Sequence, residues 1–100
     1  MENSEEEISF FMPERDEDIF EDGSIHIELH DVKISGARWR FHKNDKDPFP
    51  SKPHGHNIET GDKVNIWTGE VYDKNKTLTY KLSEKHILFI QSKLMTANFI

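Results

Sequence analysis

Pro48, Pro50 and Pro53 stand within six positions of one another, and this cluster limits what the chain can build more than any other feature. Proline has no amide proton for a β-ladder and breaks a helix interior, so Asn44 to Asn57 reads as a stiff loop and not as a central strand or a helix. Fixed φ angles also reduce the entropy lost when a loop is held in one shape. Long connectors in small domains are usually functional or loose, and stiffness favours function. The loop belongs to a larger stretch, Ala37 to Asn57, reading ARWRFHKNDKDPFPSKPHGHN. No ordinary connector needs its density of arginine, aromatic and histidine residues.

With 100 residues, the chain suits one domain with a small core. Apolar residues make up 34% and charged residues 32%, which leaves enough Ile, Leu, Val, Phe and Trp to fold. Cysteine is absent, excluding disulfides, thiolate metal sites and a thiol nucleophile, so any bound metal must use histidine and carboxylate ligands. The start MENSEEE is the reverse of a signal peptide's basic end, and the aliphatic and aromatic run from Ile87 to Ile90 is far too short to span a bilayer. These features predict a cytoplasmic protein with no membrane contact.

The formal net charge of −6 conceals an asymmetry. Residues 1–32 carry twelve acidic residues against the single base Arg15, whereas residues 33–100 are net basic. The expected organisation is therefore an acidic arm over residues 1–22 and an α+β domain over residues 23–100. Within the arm, Ile8 to Met12 and Ile19-Phe20 are apolar patches among acids. Two readings fit: a loose segment that orders against a partner, with Phe10, Phe11 and Phe20 as anchors, or an added edge strand or short helix of the same domain.

Alternation predicts the rest. Ile25, Ile27 and Leu29 alternate with polar residues, Val32 and Ile34 continue with shifted parity, and Ser35-Gly36 suits a two-residue hairpin loop leading to Trp39 and Phe41. On that strand Arg38, Arg40 and His42 share the face opposite Trp39 and Phe41. Further strands are expected at Val64 to Thr68, Glu70 to Tyr72 and Leu78 to Leu82, with turns at Thr68-Gly69 and Asp73 to Lys76. Ser83 is the expected N-cap of a closing helix from Glu84 to about Ala97, with Ile87, Leu88, Ile90, Leu94, Met95 and Ala97 facing the core and Phe89 on the back. The predicted fold is a small antiparallel meander of four or five strands with one C-terminal helix.

The string WRFHKNDKDPFPSKPHGHN, followed by TGEVYD at Thr68 to Asp73, resembles a pattern of small uncharacterised bacterial proteins often encoded near mobile elements. The resemblance covers about a third of the chain, from Arg38 to Asp73, and leaves the acidic arm outside. It implies that this segment is a unit. It assigns no catalytic residue.

Three readings of the stretch are open. His54 and His56 flank Gly55 and would face the same way in an extended chain, so with His42 and either Asp45 or Asp47 they could hold a divalent metal such as zinc. Alternatively, His42 and a loop histidine, His54 or His56, could act as base and acid across a phosphate, with Arg38 and Arg40 stabilising developing charge, as in metal-free ribonuclease chemistry. In the third reading the histidines only organise the proline loop, and His26, His30 and His86 are structural. The expected function is a small nucleic-acid-engaging protein, RNase-like or associated with toxin or defence systems, that meets RNA or DNA through Arg38, Arg40, His42, Lys43, Lys52, His54 and His56. The alternative is a non-enzymatic interaction module, an antitoxin, inhibitor or accessory subunit, whose acidic arm recognises a basic protein partner.

Overall fold

In a computed structural model the described residues are 6–20, 36–43 and 46–100. They form an antiparallel sheet of six strands, β1 (Glu7–Pro13), β2 (Gly36–His42), β3 (His54–Asn57), β4 (Lys63–Asn65), β5 (Glu70–Tyr72) and β6 (Leu78–Lys81), followed by the helix α1 (Glu84–Thr96). Spatial order follows chain order throughout. This is the expected α+β meander with a closing helix, one strand larger than its upper bound. No helix among the described residues is long and apolar enough to cross a membrane.

β1 comes from the acidic segment, so of the two readings open there the structure has the edge strand. It pairs along the whole of β2, from Glu7 opposite His42 to Pro13 opposite Gly36. Ile8, Phe10 and Met12 turn towards the core, and Ile19, beyond a 3-10 turn at Asp16–Asp18, is buried with them. β3 corrects the reading of Asn44 to Asn57 as loop throughout. The prolines end at Pro53, and residues 54–57 keep every amide proton, which lets this short segment sit between β2 and β4 as a central strand. The strand expected over residues 25–34 lies outside the described residues; the two neighbours of β2 in the sheet are β1 and β3.

One face of the sheet is sealed by α1. Trp39, Phe41, Val64 and Val71 from the strands meet Phe89, Ile90 and Leu94 from the helix, with Met12, Ile19 and Ile66 completing the cluster. Phe10 stacks on Phe41 at 5.1 Å between ring centres and meets the edge of Phe89 at 5.8 Å. Phe89 is therefore core, where the sequence placed it on the back, and Leu88 and Met95 are exposed at 58% and 60% where the sequence placed them inward. Four consecutive apolar residues, Ile87 to Ile90, put apolar surface all around one turn, and periodicity alone then cannot fix the phase. The phase is set by what the sheet offers, here the Phe10 ring and the end of β1.

The link from α1 to the end of β1 is His86, which is buried. Its Nε2 donates to the Pro13 carbonyl oxygen at 2.7 Å, and its Nδ1 lies 2.9 Å from both Ser83 Oγ and Asp16 Oδ1. Ser83 caps the helix as expected, its Oγ accepting from His86 N at 3.3 Å while donating to Asp16 Oδ1 at 2.8 Å. The start of α1 is thus tied to the end of β1 by one imidazole. Between β4 and β5 the bend at Gly69 takes φ +83°, and an added Cβ there would meet the Ile87 side chain at 2.8 Å.

Candidate functional site

Directly paired residues of an antiparallel sheet share a face, so the register decides which side chains meet. On the face away from α1, Arg38, Arg40 and His42 of β2 stand opposite Phe11, Ser9 and Glu7 of β1. Arg40 is also opposite His56 of β3, His56 opposite Lys63 of β4, and Lys63 opposite Tyr72 of β5. Arg40, His56, Lys63 and Tyr72 therefore form a row across four strands, about 14 Å long at the usual interstrand spacing.

The histidine pair on β3 owes its position to the glycine between them. Gly55 lies on the core face opposite Phe41, where a Cβ would come within 2.6 Å of the Phe41 ring and 2.9 Å of Val64. Only glycine lets the aromatic ring cross the strand at that point. His54 and His56 consequently project together from the other face. Their ring centres are 4.7 Å apart, and His56 meets His42 edge to face at 5.9 Å. The three histidines singled out in the sequence are brought together, with Arg40 beside them.

They are not equivalent. His54 is fully buried, and its Nδ1 donates to the Ser51 carbonyl oxygen at 2.8 Å. That bond is the loop-organising role open to any of the three. His42 and His56 are partly exposed. Arg38 is exposed, Arg40 partly so, and Lys52 is exposed on the loop.

The proline loop lies over one end of this face and is pinned to β4 and the turn after it. Lys63 Nζ donates to Asp47 Oδ2 at 2.7 Å, Asn65 Nδ2 to Pro50 O at 3.1 Å, and Ile66 N to Ser51 Oγ at 3.2 Å. Ser51 Oγ in turn donates to Pro53 O at 2.7 Å. Phe49 packs against Tyr72 at 5.0 Å, with Lys76 Nζ 5.3 Å from the Phe49 ring centre. The Lys63 ammonium, with the Phe49 amide, holds the Asp47 carboxyl down at about 2. Burial and the nearby Glu70 carboxylate, 3.1 Å from the hydroxyl, push the Tyr72 phenol up.

At the other end of the face, carboxylates at the start of β1 and just before it reach the basic residues. Glu7 Oε2 is 3.7 Å from Arg40 Nε and Glu7 Oε1 is 3.8 Å from His42 Nδ1, while Glu6 Oε1 is 3.5 Å from Lys43 Nζ.

Among the described residues no group of three or more histidine and carboxylate side chains is placed to hold a metal ion. The Asp47 carboxylate is directed to Lys63 and the His54 Nδ1 to a carbonyl. Asp45, the other carboxylate expected there, lies outside the described residues.

Glu7 and Lys63 are site residues that the sequence reading missed. Lys63 was discoverable, because the alternation Lys63, Val64, Asn65 puts it on the polar side of a strand already recognised. Glu7 was not, since its place beside His42 depends on a pairing between segments about thirty residues apart. Comparison of the chain with protein-family models, with curated proteins and with solved structures finds no match.

Proposed function

We propose that this protein binds single-stranded nucleic acid, RNA in the first instance, on the sheet face opposite α1. The observation that supports the reading is the convergence of Arg40, His42 and His56 on two adjacent central strands, extended along β2 by Arg38 and across the sheet by Lys63. Guanidinium and ammonium groups suit a phosphate backbone, and the partly exposed Phe11, Phe49 and Tyr72 on the same side supply flat surfaces for bases. His42 and His56, close together and partly exposed, also give this face the residue types for proton transfer at a phosphodiester, one as base and one as acid. His54, locked to the loop, positions the strand.

The test is binding of a short labelled single-stranded RNA over a range of salt. Affinity should fall with salt at a slope of about 0.7 per phosphate neutralised, and replacing Arg40 by alanine should weaken binding and lower the slope by about that amount. No binding at low salt would overturn the proposal. Incubation of the same RNA followed by gel analysis separates a binder from a nuclease: cleavage that disappears in His56→Ala while binding persists assigns the chemistry to the histidine pair.

A second reading, a protein-interaction module, is favoured by one observation. Phe20, Leu88 and Met95 are exposed at 47%, 58% and 60% and line one groove beside the outer side of α1. Phe20 was an expected anchor of the acidic segment, whereas Phe89, which the sequence placed on the back of the helix, is buried. Cross-linking and pull-down with Leu88→Glu/Met95→Glu as control would test it. Recovery of the same proteins by both forms would count against the groove.

A further inference from the structure

The carboxylates at the start of β1 stand against the basic groups of the candidate face. Glu7 approaches both Arg40 and His42, and Glu6 approaches Lys43, at 3.5 to 3.8 Å. The register makes this a consequence of the fold, since Glu7 is the direct partner of His42 and Lys43 N donates to Glu6 O at 2.9 Å. The backbone of this end of β1 is therefore fixed beside β2, while the Glu6 and Glu7 side chains are themselves 59% and 49% exposed.

We infer that Glu6 and Glu7 act as built-in competitors of the anion-binding face, so that the site admits a chain of several phosphates and rejects a single one. The inference rests on the nucleic-acid reading above. An exposed ion pair at these distances is weak, shifting an equilibrium by no more than about fivefold. A strand that engages Arg40, Lys43 and a residue further along the row at once gains several contacts for the pairs it displaces. A lone phosphate or a mononucleotide must break the same pairs for one new contact, and its balance is close to zero. The arrangement thus sets selectivity by valence without any base-specific contact. It also gives the acidic segment a local role, distinct from the general effect of its charge on solubility.

The discriminating experiment compares the full chain with Glu6→Gln/Glu7→Gln and with Glu14→Gln/Glu17→Gln, which removes the same charge beyond the far end of β1. Equal melting temperatures establish that all three are folded. The probes are a short single-stranded RNA and adenosine monophosphate. The unmodified chain should bind the RNA and show no measurable affinity for the mononucleotide. Glu6→Gln/Glu7→Gln should bind the RNA about three- to tenfold more tightly and gain detectable mononucleotide binding. Glu14→Gln/Glu17→Gln should stay near the unmodified chain. Equal gains in the two double variants would overturn the inference by showing that only net charge matters, and no gain in either would overturn it while leaving the binding face intact. Absence of RNA binding in all three would remove the nucleic-acid reading and the inference together.

Discussion

Lys63 Nζ lies 2.7 Å from Asp47 Oδ2, and this one contact joins the proline loop to the central strand β4 across sixteen residues of sequence. It fixes the loop over the end of the face where His54 and His56 emerge.

The pairing has a defined pH signature. The Asp47 carboxyl is held at about 2, below its ordinary value of about 3.9, so its stabilising effect is fully present above that ordinary value and is lost as pH falls through about 2. Carboxyl-detected NMR titration should show Asp47 protonating well below the ordinary aspartate range. In Lys63→Met its midpoint should rise towards the ordinary range; an unchanged midpoint would show that the lysine does not hold it.

Gly55→Ala should destabilise the fold by about 1 to 3 kcal/mol, because the new methyl would lie 2.6 Å from the Phe41 ring and the core must shift to admit it. Chemical denaturation measures this directly. A loss below about 0.5 kcal/mol would mean that Phe41 has room to move.

The phase of α1 is open to an equally simple comparison. Phe89→Ala should cost about 3 to 5 kcal/mol, since the ring is buried against Phe10, whereas Leu88→Ala should fall within about 0.5 kcal/mol of the unmodified chain. The reverse order would restore the helix face read from periodicity.

Ser83→Ala removes the side chain that caps α1 and contacts both Asp16 and His86. Loss of an N-cap costs about 1 kcal/mol, and the lower end of the helix should fray first, visible as faster amide exchange at residues 86–88. Unchanged exchange there would contradict the capping role.

These comparisons mark what could be read from the chain and what could not. The strands around Val64, Val71 and Tyr80, the turn at Asp73 to Lys76 and the Ser83 cap were legible because each rests on local alternation or local capping chemistry. β3 was hidden by the three prolines beside it, although His54 to Asn57 itself carries none and its Gly55 marks a close approach. The phase of α1 was hidden by the unbroken run Ile87 to Ile90. At the site, Arg38, Arg40 and His42 could be placed on one face from parity alone, and His54 and His56 together from their spacing. That Glu7 would stand beside His42, that His54 would be buried, and that Asp47 would turn to Lys63 depend on strand pairing and loop path, which no local pattern encodes.

The central claim, that the sheet face opposite α1 binds a nucleic-acid strand, is tested most directly by amide and side-chain NMR during titration with a short single-stranded RNA at low salt. The predicted perturbations centre on Arg38, Arg40, His42, His56 and Lys63, with the Glu6 and Glu7 resonances moving as their ion pairs exchange, and with Leu88 and Met95 on the outer side of α1 unmoved. Perturbations confined to α1 or β6, or spectra unchanged by RNA, would contradict it.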